Sequence, residues 1–304
     1  MNVRKEKSAR IIGYDVARAL AVFGMVIVNY KVVMGAETNG PNWLIWLAGL
    51  FDGRAAATFV ILAGVGISML SKKARLNNDQ ERIRQNRTTL LKRALFLFIV
   101  GLLYTPLWPA DILHFYGIYI AVAAFLLAAS DRQLWAGIIV LPLTFLGMLL
   151  FFDYEAGWNF TSLTYIDFWT FKGMLRHLFF NGFHPVIPWL AFLLIGMWLG
   201  RQDVQNPQIR RRILRNGLLT AIAAETLSFW LGTVLPTEIS TLFDTAPMPP
   251  VPLYIAAGAG TAVSLIILCI ELTLKYPDAA VFRPLVATGQ LALTLYVAHV
   301  VIGM

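Results

Sequence analysis

Cysteine is almost absent from this chain, and charge is scarce. Cys269 stands alone in 304 residues, which excludes a disulfide scaffold and any cysteine-built metal centre. Charged residues make up 14% against 58% hydrophobic, leaving more apolar surface than soluble domains of this length can bury. Low-complexity tracts and internal repeats are also missing, so solenoids and disordered tails are set aside. Histidine, the one side chain that ordinarily titrates near neutrality, occurs only at His114, His177, His184 and His299.

What the chain has instead is a succession of apolar runs, most of them long enough to cross a hydrocarbon layer as a helix. The runs span Ile12–Val33, Ala56–Leu70, Ala94–Trp108, Ile112–Ala129, Leu134–Phe152, Pro185–Gly200, Gly217–Leu235, Pro252–Leu274 and Leu285–Ile302. They predict an all-α, polytopic integral membrane bundle of about nine to ten transmembrane helices. Residues 1–304 then form one transmembrane domain. The basic head MNVRKEKSAR precedes a run that continues past signal-peptide length, so it reads as the first helix. Met304 follows an apolar stretch with no polar flank, so a clipped C-terminus and a missing further helix are expected.

The net charge of +8 invites a nucleic-acid reading, but its distribution opposes one. With the N-terminus in the cytoplasm, Arg4, Lys5, Lys7 and Arg10, the stretch Ser71–Arg93, Arg132, Arg201, Arg210 to Arg212, Arg215, Lys275 and Arg283 all fall inside. Lys31, Arg54, Lys172 and Arg176 fall outside. That bias is the positive-inside rule of a multi-pass membrane protein with a cytoplasmic N-terminus; the partner is the lipid bilayer, with no nucleic acid. The outer segments carry Trp43, Trp46, Trp108, Trp158 and Trp169 as an aromatic belt. Thr161–Gly182 is too polar to span; Phe168, Phe171, Leu175, Leu178 and Phe179 recur at helical spacing, predicting an outer interfacial segment that roofs a site.

Ionisable groups inside apolar spans default to functional candidates because lipid makes them costly. On the first helix Asp15, Arg18, Val22, Met25 and Asn29 share one face at about 100° per residue. Asp15 and Arg18 near the inner end read either as an intrahelical ion pair or, for Arg18, as a clamp for a phosphorylated cytosolic ligand. Asn29 sits near the outer surface, where a helix–helix hydrogen bond is the ordinary role. Asp52 and Arg54 open the second helix at that level, Asp52 as a cap or as part of a site. Asp111 and His114 open the fourth, His184 opens the sixth, and His299 reaches the outer half of the last. Glu225, near the midplane of the seventh, is expected as a buried, protonated carboxyl. No metal is expected, because no two ligands stand at metal spacing on one helix. A histidine beside a carboxylate is suited to accept a proton, against the ordinary reading of an interfacial histidine bonded to a loop carbonyl.

The stretches RIIGYDVARALAVFGMVIVNY, FDGRAAATFVILAGVGISML, LKRALFLFIVGLLYTPLWPADILHFYGIY and GFHPVIPWLAFLLIGMWLGR resemble the YeiB-like bacterial membrane proteins. More distantly they resemble the catalytic domain of the heparan-alpha-glucosaminide N-acetyltransferases, within the transmembrane acyltransferase group. The resemblance implies a membrane acyltransferase that takes acyl-CoA or acetyl-CoA as co-substrate from the cytosol. It aligns Asn29 and Asp52 with the group's helix-end asparagine and aspartate, and Asp15 and Arg18 with its opening acid and base. One departure matters: the acetyltransferases carry a catalytic histidine between the first two helices, and Lys31–Phe51 contains none. Either His114 or His184 takes that role, or this branch performs other chemistry.

These readings converge on an acyl donor entering from the cytoplasm along Arg18 and the basic loop. The catalytic set is His114, His184, Asp111, Asn29 and Asp52; the binding set is Arg54, Arg18, Asp15, His299 and Glu225. The acceptor is a sugar, lipid or envelope glycan, and a homodimer is left open. The competing expectation is a small-solute transporter or flippase, which the Gly- and Pro-interrupted spans permit but the lack of duplicated halves does not favour.

Overall fold

The computed structural model describes residues 10–36 and 39–303. Arg4, Lys5, Lys7 and Met304 lie outside them. The helices run α1 Gly13–Val33, α2 Asn42–Gly49, α3 Arg54–Leu76, α4 Gln80–Tyr104, α5 Leu113–Phe125 and α6 Asp131–Phe151. A two-stranded hairpin (β1 Trp158–Asn159, β2 Thr164–Tyr165) precedes α7 Phe171–Arg176, whose chain continues as a π-helical turn at His177–Asn181. Then come α8 Val186–Leu199, α9 Pro207–Val234, α10 Thr237–Ser240, α11 Pro252–Lys275, α12 Phe282–Gln290 and α13 Ala292–Gly303.

The fold is an all-α bundle of membrane-crossing character. Among the described residues, five helices are long and apolar enough to cross a bilayer, or up to seven if each of two bent pairs counts as one span. The lower figure than the sequence predicts has physical causes. The first half of α4 is polar from Gln80 to Arg93, and α5 is only 13 residues long. The expected last span is broken: α12 and α13 meet at Leu291 with a bend of 79°.

Close crossings hold the core together. α3 packs on α8, α1 and α11. At the α3–α8 crossing Gly64 and Gly196 lie against each other's backbones, so a methyl at Gly64 would strike Leu193 and one at Gly196 would strike Ile61. Without a hydrophobic force between helices in lipid, small residues permit this van der Waals contact. α4 and α5 form an antiparallel pair through Gly101, facing the His114 backbone, and Gly117, facing Ala94. Around Trp189, Phe192, Ile61 and Leu62 side chains are almost fully enclosed, whereas α6 and α9 sit at the rim with Ile139, Leu143, Leu219 and Phe229 exposed.

The segment expected as one interfacial helix is instead the hairpin, α7 and the π-helical turn. Phe168 and Leu178 are buried as the pattern implies, but Phe171 is exposed. Asn181, fully enclosed, ties the piece together: its amide donates to the carbonyls of Tyr154 and Ala156 at 2.8 Å, and its side-chain oxygen accepts from the Tyr165 hydroxyl at 2.7 Å. Burial pushes the Tyr165 phenol up in pKa, against the pull of the Arg176 guanidinium bonded to it.

Candidate active site

Two cavities lie nearly end to end in the bundle. At the end where α1 finishes and α3 begins, a chamber of about 270 Å³ is lined by Asn29, Lys31, Asp52, His184 and Tyr296, with Trp108 and Trp189 among its walls. At the basic end a second cavity of about 520 Å³ is lined by Arg18, Arg93, Tyr116 and Phe59. On α3 the chamber reaches Ala56 and the basic cavity begins at Phe59, a separation of about 5 Å along the helix. On α1 the same step runs from Met25 to Arg18, about 10 Å. Between them runs a septum whose basic-cavity face includes the paired rings of Phe59 and Tyr116, 5.7 Å apart.

The chamber's polar groups come from four elements. Lys31, on the last turn of α1, forms an ion pair with Asp52. Asp52 therefore does not cap α3, whose N-cap Gly53 lacks any side-chain cap bond. The second Asp52 oxygen, Oδ1, is buried with no hydrogen-bond partner. Asn29 donates to His299 Nε2 at 2.9 Å, joining α1 to α13. His184 sits in the break before α8, its ring edge-on to Trp189 at 4.6 Å and its Nδ1 without a partner. The His184 carbonyl accepts the Tyr119 hydroxyl at 2.5 Å, which fixes the backbone of the break.

Asp111 and His114 occupy a different place. Both side chains are fully enclosed, and neither lines the chamber. Asp111 accepts from the Leu113 amide at 2.8 Å and from the Tyr296 hydroxyl at 3.3 Å, with His114 Nδ1 at 3.4 Å. The aspartate thus satisfies the first turn of α5 and braces its own histidine. His114 packs in a three-ring cluster with Phe115 at 4.1 Å and His177 at 5.6 Å, those two rings lying 5.1 Å apart. The expected gathering of His114 with Asn29 and Asp52 is corrected: tight α4–α5 packing at Gly101 encloses it behind Tyr296. Tyr296 lines the chamber and also donates its hydroxyl to Asp111.

Glu225 is corrected as well. Rather than a lone, buried, protonated carboxyl at the midplane, it pairs with Arg54 from the opening of α3 and accepts from the Thr245 hydroxyl at 2.8 Å. Its side chain is 43% exposed. Arg54 is thereby engaged at the rim, beside the chamber residue Gly53. At the basic end Asp15 binds both Arg10 at 2.8 Å and Arg18 at 2.9 Å, and Arg18 also donates to the Gly289 carbonyl at 3.4 Å. Arg18 thus keeps its intrahelical partner while lining the basic cavity.

Two chamber residues, Lys31 and Tyr296, escaped the sequence reading, as did the burial of His177. Lys31 was counted only as an outer charge, yet it stands two residues beyond Asn29 at the level of Asp52, a pairing that helical geometry makes available. Tyr296 lies in a span with no other polar cue than His299. His177 was assigned to a surface segment, and the π-helical turn buries it. Among the described residues, no three His, Cys, Asp or Glu side chains gather to hold a metal ion.

A family profile described as heparan-alpha-glucosaminide N-acetyltransferase, catalytic, matches residues 10–234. The chain belongs to this family. The match covers α1 to α9, hence Asn29, Lys31, Asp52 and His184, and leaves out Tyr296 and His299 on α13. No curated protein and no solved structure matches the chain. As a family member with helices of crossing length, it is a multi-pass membrane protein of acetyltransferase type. The segment Lys31–Phe51, where the resemblance places a catalytic histidine, contains none; Lys31 at its start and the distant His184 both line the chamber.

Proposed function

We propose that the protein transfers an acetyl or other short acyl group from acyl-CoA, bound at its basic end, to a sugar, lipid or envelope-glycan acceptor in the opposite chamber. Counting α4 and α5 as crossings together with both bent pairs gives nine spans. The basic end then faces the cytoplasm of a bacterial inner membrane, in keeping with the positive-inside rule. The observation that carries the reading is the pair of cavities separated by about one to two helical turns, one flanked by two arginines and the other holding unsatisfied polar atoms. Buried polar atoms normally find partners, so Asp52 Oδ1 and His184 Nδ1 are suited to an incoming ligand.

In this reading the CoA phosphates lie against Arg18 and Arg93, charge-assisted by the guanidinium forks. The pantetheine arm passes Phe59 and Tyr116, and the thioester carbonyl enters the chamber. His184 takes the proton from the acceptor hydroxyl or amine as its oxygen or nitrogen attacks the carbonyl carbon. The oxyanion that forms is stabilised by the Lys31 ammonium or the Asn29 amide. Collapse breaks the carbon–sulfur bond, and the proton held by His184 passes to the departing CoA thiolate. Asp52 keeps Lys31 oriented and offers Oδ1 to the acceptor. The test is purified protein with acetyl-labelled acetyl-CoA and mixed sugar and lipid acceptors. Labelled acceptor that disappears in His184→Gln supports the reading. Uptake of solute into proteoliposomes with no acyl transfer makes the protein a transporter and overturns it.

A further inference from the structure

A second open space lies on the lipid-facing side, away from the chamber. A groove of about 660 Å³ runs between the rim helices α6 and α9 and is floored by α8 and α11. Its polarity is graded. On α9, Arg212, Asn216 and Thr220 line it at successive four-residue steps, so they stand one above another over about 12 Å of helix. Gln202 joins Arg212 at the basic end. Further along, the walls become hydrocarbon: Ile139 and Leu143 from α6, Ile255 and Ala259 from α11. Trp135 and Trp198 meet edge-on at 5.2 Å near the basic mouth, the level at which tryptophan prefers to sit in a bilayer.

Arg212 differs from Arg201 and Arg210, and of the exposed Arg211, Arg212 and Arg215 it is the one that lines the groove. Arg210 is held by Glu271 and Arg201 by Asp131, while Arg212 is exposed and has no ion-pair partner among the described residues. An open groove in a membrane fills with acyl chain or with protein. A second copy docked here would bring Arg211, Arg212 and Arg215 against their own duplicates, so like charges oppose it.

We propose that this groove binds an anionic phospholipid of the leaflet at the basic end. Cation, amide, hydroxyl and hydrocarbon follow the order of phosphate, glycerol ester and acyl chain in such a lipid. The phosphate lies on Arg212, Asn216 and Thr220 donate to the ester carbonyls, and one acyl chain runs down the wall formed by α6 and α11. The assignment is independent of the acyltransferase reading.

Native mass spectrometry of the full chain in detergent, titrated with phosphatidylglycerol or with phosphatidylcholine of the same chains, tests it. Phosphatidylglycerol should be retained preferentially, and Arg212→Ala should weaken its retention about fivefold, the factor one basic residue carries at an anionic surface. Arg211→Ala, on the same turn but outside the groove, should leave retention unchanged. Leu143→Trp, which fills the groove, should weaken both lipids. Equal retention of the two lipids, or equal loss in Arg211→Ala and Arg212→Ala, overturns the proposal. So does a lipid-independent dimer trapped through Leu143→Cys.

Discussion

Asp111, His114 and His177 on one side, and Asn29, Lys31, Asp52 and His184 on the other, stand at the same end of the bundle and are built from the same residue types. They differ in what surrounds them. In the first group Asp111 and His114 are enclosed by aromatic rings and by the close α4–α5 approach at Gly101, while His177 borders a separate cavity of about 230 Å³. The second lines the chamber; each group keeps buried polar atoms unpaired, His114 Nε2 and His177 Nδ1 in the first, Asp52 Oδ1 and His184 Nδ1 in the second. Depth in the membrane therefore does not separate His114 from His184; access to the chamber shared with Asn29, Lys31 and Asp52 does.

Substitutions can break that contrast directly. The largest effect is expected at His184: His184→Gln should lower the rate of acyl transfer by about 10²–10⁴, the usual worth of a general base, with thermal stability nearly unchanged. Transfer rates and melting curves on the same preparation check it. His114→Leu should do the reverse, lowering stability by about 1–3 kcal/mol through the Asp111 it leaves without its neighbour, while the rate stays within a few-fold. Equal loss of rate in both variants would erase the distinction between the two groups.

Next in size is the ion pair. Asp52→Asn leaves the Lys31 ammonium uncompensated and should cost about 1–3 kcal/mol in stability as well as activity. Adding Lys31→Met should restore much of the stability and none of the activity, as a double-mutant cycle on the purified protein would read. A smaller effect is expected for Ala56→Phe, which narrows the septum from the chamber side. The chief consequence should be a raised KM for acyl-CoA, and an unchanged KM would count against a route past Phe59. The smallest belongs to Asn29→Ala, which frees His299 and removes one interhelical hydrogen bond, worth about 0.6 kcal/mol in membrane bundles.

Much of the architecture was legible because hydropathy and charge act on whole helices. The first span, expected at Ile12–Val33, is α1 Gly13–Val33, and its polar face Asp15, Arg18, Val22, Met25 and Asn29 does turn into the bundle. What hydropathy cannot see is a helix that continues through charge. α9 starts at Pro207 rather than Gly217, because Arg210 is neutralised by Glu271 and the remaining arginines reach water. Nor does hydropathy register a break inside an apolar run. The bend at Leu291 follows Gly289, whose missing side chain lets α12 lie against the Asp15 backbone.

The site was legible by residue type and only partly by place. Asn29, Asp52 and His184 meet around one cavity, and His299 reaches it through Asn29. Asp111 and His114 were not separable from them in sequence, since burial behind Tyr296 depends on a contact between α5 and the distant α13. Lys31 was hidden by the habit of reading an outer lysine as solvated charge. Glu225 was placed by counting residues along a span that begins a turn or more earlier than hydropathy indicates.

The central claim is that the acyl group arrives in the chamber holding His184, Asn29 and Asp52. A structure with bound acetyl-CoA tests it most directly. The account predicts phosphates against Arg18 and Arg93 and the thioester carbonyl within hydrogen-bonding reach of the chamber's donors. Density for the acyl end beside His114 and His177, or for the nucleotide away from the Arg18 cavity, would contradict it.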